Sequence, residues 1–63
     1  MEKLAEHTYG NHIYMKIMLD NGRIGEIDVF LEKCGGETYR TSADQSGDQG
    51  EREQIINAYK ELY

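Results

Sequence analysis

Two histidines are the first residues whose type and spacing could support chemistry. His7 and His12 flank a Gly-Asn pair and, with Glu6 or Glu32, could supply two nitrogens and one carboxylate to a metal ion. Two histidines alone are not a motif, and a half-exposed imidazole opposite a glutamate on a strand needs no ligand to explain it. We therefore expect no metal ion and no bound cofactor.

The polar segment before the C-terminal helix alternates oxygen-bearing side chains, as calcium-binding loops do. An EF-hand loop beginning at Asp44 would need Gly at position 49 and Glu at position 55, but the chain has Gln49 and Ile55. Helix capping explains the segment better, because Asp48 precedes Glu51 by three residues, the spacing of a capping box.

Nucleophilic catalysis also lacks support in the sequence. Cys34 lies between Glu32 and Glu37, and nearby acids disfavour the thiolate. A single cysteine excludes an internal disulfide, which is typical of a reducing compartment. No apolar run approaches the roughly 20 residues of a membrane helix. These features predict a cytoplasmic protein that is not an enzyme and has no catalytic residues.

The elements that would position these side chains begin with a β-hairpin. Apolar and polar residues alternate over His12–Leu19 and again over Ile24–Glu32. A three-residue loop, Asn21 to Arg23, would place every apolar residue of one strand opposite an apolar residue of the other. On the opposite face, this register predicts the pairs Tyr14 with Phe30, Lys16 with Asp28, and His12 with Glu32.

The other segments predict an α+β fold in one domain, 1–63. Glu37–Ala43 is typical of a short strand, and Asp48 of a helix N-cap. Glu2–His7 remains open between a helix and a strand that Gly10-Asn11 turns into the hairpin. The expected architecture is a three- or four-stranded antiparallel sheet with a C-terminal helix packed on one face. The apolar helix positions are Ile55, Ile56, Tyr59, Leu62 and Tyr63.

Acidic residues outnumber basic ones by 12 to 7, giving a net charge of −5. The basic patch of a direct nucleic-acid binder is missing. Glu26, Asp28 and Glu32 share one face of a predicted strand, where alternate residues lie about 6.6 Å apart. Together with Asp44 and Asp48, these three acids predict a row of negative charges spaced like backbone phosphates. Basic grooves on a partner would attract such a row.

Tyr14 and Phe30 fall on the same predicted face and would anchor the contact, because tyrosine is favoured at interface centres. Two alternatives stay open. A net charge of this size is ordinary for a soluble domain and need serve only solubility. Alternatively, Tyr14, Met18 and Phe30 form a homodimer interface of a small structural or regulatory module.

A short, acidic, tyrosine-containing, cysteine-poor α+β chain without an enzyme motif resembles the small phage-encoded inhibitors of bacterial defence, the anti-CRISPR and anti-restriction proteins. The likeness is one of type and covers the whole chain. It implies a stoichiometric inhibitor that docks on a nuclease or RNA-guided complex and blocks its nucleic-acid channel. The charge argument assigns this contact to Glu26, Asp28, Glu32, Asp44, Asp48, Tyr14 and Phe30.

Overall fold

The computed structural model describes all 63 residues as four strands followed by a 3₁₀ turn and one α-helix. The strands form one antiparallel sheet in which sequence neighbours are also spatial neighbours. The predicted α+β class is therefore confirmed, with four strands and a C-terminal helix on one face. The elements are β1 (Glu2–Tyr9), β2 (His12–Met18), β3 (Ile24–Leu31), β4 (Glu37–Thr41), the 3₁₀ turn (Ser42–Asp44) and α1 (Gln49–Leu62).

The N-terminal segment is a strand, which settles the open choice between helix and strand. Tyr9 pairs with His12 across a two-residue turn that contains Gly10 at φ +54°. A lone helix of so few residues would not recover its nucleation cost, whereas the hairpin gains a full ladder of hydrogen bonds. The ladder is interrupted by a β-bulge at Leu4, between Lys3 and Ala5.

The predicted register of the β2–β3 hairpin was wrong by two residues. The loop does contain three residues, but they are Asp20, Asn21 and Gly22, since the Leu19 amide donates to the Arg23 carbonyl at 2.8 Å. Three-residue hairpin loops end in a left-handed residue, and Gly22 with φ +85° takes that position. The outer pairs are consequently His12 with Phe30, Tyr14 with Asp28, and Lys16 with Glu26.

A displacement of two residues leaves each side chain on its predicted face, because the side-chain period of a strand is two. The inner face of β2 and β3 is accordingly apolar and lies beneath α1, which packs against β2, β3 and β4. Gly25 lets the helix approach closely, since a Cβ there would lie 2.6 Å from Ile55 Cγ1. The most buried side chains are Ile13, Met15, Ile17, Ile27, Val29 and Ile55.

The helix begins where the sequence predicts. The Asp48 carboxylate accepts a hydrogen bond from the Glu51 amide at 3.0 Å, which confirms the N-cap. The Glu51 side chain forms an ion pair with Arg23 instead of returning to the cap residue. With 14 residues, α1 is too short to span a lipid bilayer.

Candidate partner-binding site

The sheet surface turned away from α1, called the outer face below, carries most of the predicted site residues. No element of the fold packs over it, because the chain's single helix lies on the inner face. Strand alternation sends every second side chain of each strand to this surface. The outer face comprises Glu2, Ala5, His7 and Tyr9 of β1, His12, Tyr14, Lys16 and Met18 of β2, Ile24, Glu26, Asp28 and Phe30 of β3, and Thr38 and Arg40 of β4.

Five rings form an aromatic row across β1, β2 and β3 on the outer face. The His12 and Phe30 rings are parallel within 2°, with centroids 4.5 Å apart. Tyr9 lies 6.3 Å from His12, and His7 lies 6.2 Å from Tyr9 and 6.1 Å from Tyr14. Ring pairs at these separations pack favourably. The row therefore presents a band of aromatic surface on the outer face.

Arg40 extends the aromatic row onto β4. Its guanidinium carbon lies 5.9 Å from the centroid of the Phe30 ring, within the range of a cation–π contact. Arg40 is also opposite Asp28 in the β3–β4 ladder. The outer face therefore holds a guanidinium above an aromatic ring, on the residue that pairs with Asp28 across the two strands.

Glu26 and Asp28 both lie on the outer face, and each carboxylate contacts a side chain of β2. Glu26 Oε2 accepts a hydrogen bond from the Tyr14 hydroxyl at 2.5 Å, and this bond raises the pKa of Tyr14 to about 12. Asp28 Oδ1 lies 2.8 Å from His12 Nε2. Glu26 therefore accepts from a neutral phenol, and Asp28 contacts an imidazole.

Asp44 joins these two acids from the 3₁₀ turn. Its carboxylate accepts hydrogen bonds from the Thr41 amide at 3.1 Å and the Thr41 hydroxyl at 2.9 Å. The backbone bond, supported by Arg52 at 3.0 Å, lowers the pKa of Asp44. Three acids thereby border one open groove, called the acidic groove below, which is lined by Tyr14, Glu26, Asp28, Arg40, Thr41, Ser42, Asp44 and Gln45.

The remaining predicted site residues lie around this groove or away from it. Phe30 belongs to the aromatic row. Glu32 lies just beyond the end of β3, where its Oε1 accepts from the Thr38 hydroxyl at 3.0 Å. Asp48 caps α1 and borders a different depression with Arg23 and Glu51. The structure thus gathers three of the five predicted acids around one groove.

Sequence reasoning missed two contributors from β1 and one from β4. His7 and Tyr9 extend the aromatic row, and their alternation with Ala5 was a usable signal once the segment is taken as a strand. Arg40 was missed because the register of β4 was not fixed. It is basic, so it reduces the net negative charge of the groove.

His7, His12 and the nearby glutamates do not form a metal site in the structure. No three side chains among histidine, cysteine, aspartate and glutamate lie close enough together to hold a metal ion. His7 and His12 instead flank Tyr9 in the aromatic row. Cys34 is exposed in the turn between β3 and β4.

The chain was compared with protein-family models, curated proteins and solved structures, and none of the three comparisons gives a match.

Proposed function

We propose that this protein is a non-enzymatic inhibitor that docks its outer face onto a basic, nucleic-acid-binding groove of a bacterial defence complex. The partner would be an RNA-guided surveillance complex or a restriction nuclease in the cytoplasm. The observation that carries the proposal is the acidic groove beside an aromatic row, on a sheet face that nothing in the fold covers.

The charges of the outer face support a basic partner. Glu26 contacts a phenol and Asp28 an imidazole, and neither forms an ion pair with the lysine or arginine opposite it in the ladder, Lys16 and Arg40. Sites that bind DNA or RNA are lined with Lys and Arg, and a fixed negative surface is steered toward them. The two carboxylates lie on neighbouring outward positions of one strand, which holds them at a fixed spacing. This spacing is of the same order as that between the phosphates such a groove binds.

The aromatic row supports arginine as the main contact on the partner. A guanidinium can stack on a ring while it pairs with a carboxylate, and a lysine ammonium cannot pair with two oxygens in a planar fork. Arg40 above Phe30 is an example of the stacking contact within the chain itself. Tyrosine rings beside the acids would supply the apolar part of the contact.

The predicted site residues are not equivalent in this proposal. Glu26 and Asp28 carry the contact, with Tyr14 and Phe30 beside them. Asp44 contributes less net charge, because Arg52 already pairs with it. Asp48 serves the helix, since its carboxylate accepts the Glu51 amide.

The test is a competition experiment with purified bacterial RNA-guided complexes and restriction nucleases, each offered labelled target DNA. The wild-type protein should displace DNA from its partner, and the double variant Glu26→Gln with Asp28→Asn should lose about 10-fold or more in affinity, as one lost charged contact of about 1.5 kcal/mol or more requires. The control variant, Glu53→Gln with Glu61→Gln, changes net charge equally on exposed helix positions. Equal affinity of the two double variants would refute the proposed surface.

A further inference from the structure

The sheet has a free edge at β1 that the proposed inhibitor contact does not use. One side of β1 pairs with β2, and no other strand of the chain lies on its second side. The helix packs over β2, β3 and β4, so β1 stands apart from the core. Free edges of this kind can pair with another chain, and natural proteins usually protect them with bulges and charges.

The bulge at Leu4 determines which charged side chains of β1 share a face. Lys3 lies opposite Ile17 and Glu6 opposite Met15, and both partners are buried on the inner face. Without the extra residue, positions 3 and 6 would point to opposite sides of the sheet. Because of the bulge, Lys3 and Glu6 point to the same side and form an ion pair at 2.7 Å.

The bulge also places Glu2 and His7 together on the outer face. Glu2 lies opposite Met18, and His7 lies opposite Tyr14. Each face of β1 therefore carries one acidic and one basic or titratable residue, at positions related by a midpoint between Leu4 and Ala5. A strand with this symmetry is complementary to a second copy of itself.

We propose that β1 pairs antiparallel with β1 of a second copy of this chain, about a two-fold axis between Leu4 and Ala5. The register places Lys3 opposite Glu6 of the second copy, and Glu2 opposite its His7. Symmetry repeats each contact, and the opposite charges of Lys3 and Glu6 are favourable when they lie directly across an antiparallel pair.

Apolar side chains lie where the proposed axis passes. Leu4 is 40% exposed, and it would meet Ala5 of the second copy. The Lys3–Glu6 ion pair would pass from within one chain to between two chains, so its opposite charges stay paired in both states. The resulting dimer has one continuous sheet of eight strands, twice the four of a single chain. Its test is separable from that of the proposed function, because Lys3 and Glu6 lie on the inner face, away from the acidic groove and the aromatic row.

Sedimentation equilibrium over a concentration series tests this pairing. The wild-type protein should sediment as a dimer at high concentration. Lys3→Glu and Glu6→Lys should each sediment as monomers, because each variant places like charges opposite one another twice. A 1:1 mixture of the two variants should form a heterodimer, since the two glutamates of the first variant would then face the two lysines of the second.

Glu53→Lys is the matched control, because it changes net charge as Glu6→Lys does but lies exposed on the helix. It should remain a dimer, and circular dichroism should show that all variants are folded. A wild-type monomer throughout the series would overturn the proposal. So would a dimer that both β1 variants leave intact, since that dimer would form through another surface.

Discussion

At the scale of single residues, the hydrogen bond between Tyr14 and Glu26 ties the candidate site to a measurable property. The Tyr14 hydroxyl donates to a carboxylate, so its loss of a proton would place two negative charges side by side. The bond is the largest cause of the raised pKa, followed by burial and the charges of Glu26 and Asp28. The pKa of Tyr14 therefore depends on the charge of Glu26.

We predict that Glu26→Gln lowers the pKa of Tyr14 from about 12 toward its ordinary value of 10.0. Carbon-13 NMR of the tyrosine rings across an alkaline titration measures it. A raised pKa in the folded state stabilises the fold below pH 10.0, and this contribution disappears as pH rises through about 12. Burial also raises the pKa of Tyr59 to about 12. The Glu26→Gln variant should therefore still lose stability as the pH rises from 10.0 through about 12. An unchanged Tyr14 titration would contradict the assigned bond.

A second prediction concerns the closest approach of helix and sheet. Gly25→Ala should destabilise the protein by about 1–3 kcal/mol, because its Cβ would lie 2.6 Å and 2.8 Å from side-chain carbons of the fully buried Ile55. Gly36→Ala is the control, since no atom lies within 4 Å of a Cβ there. Urea unfolding measures both, and equal effects would mean that the helix does not press on Gly25.

The sequence predicts which face of the sheet each site residue occupies, but not which side chains that residue contacts. Alternation alone places Tyr14, Glu26, Asp28 and Phe30 on the outward side, because any even shift in register preserves the face. Contacts depend on the register itself. The apolar residues of β2 and β3 match in more than one even register, and the conformational demand of Gly22 selects between them.

At the scale of elements, turn and cap residues decide where strands and the helix end. Asp48 fixes the first turn of α1, as its spacing to Glu51 predicts. The 3₁₀ turn before it was not predicted, since its stability comes from Asp44 contacts with Thr41 and Arg52 that only the folded chain brings together. The N-terminal segment became a strand because β2 was present to pair with it, and propensity alone does not contain that information.

Substitution of the helix cap separates a structural role from a binding role. Asp48→Ala should lower the free energy of unfolding by about 0.5–2 kcal/mol, whereas Asp48→Asn should keep most of it, because an amide oxygen can also accept the Glu51 amide. Urea denaturation of the three proteins gives these values. In the competition experiment, Asp48→Asn should bind its partner as the wild type does. A large loss of binding with intact stability would instead make Asp48 part of the interface.

At the scale of the whole molecule, one helix cannot cover both faces of a four-stranded sheet. The helix buries the apolar inner face, and the outer face keeps an aromatic row beside an acidic groove. The acids do not contribute equal net charge, because Arg52 pairs with Asp44 and Arg40 lies opposite Asp28. The proposed binding surface is centred on β2 and β3, around Glu26 and Asp28, with Lys16 and Arg40 opposite them in the ladders.

The salt dependence of partner binding tests the central claim most directly. We predict that the association constant of the wild-type protein with the proposed defence complex falls steeply between about 50 mM and 200 mM salt, as nucleic-acid binding at the same groove does. The Glu26→Gln, Asp28→Asn variant should show a shallower slope, and the Glu53→Gln, Glu61→Gln control should follow the wild type. A flat dependence for the wild type, or identical slopes for all three proteins, would contradict an electrostatic contact through the outer face.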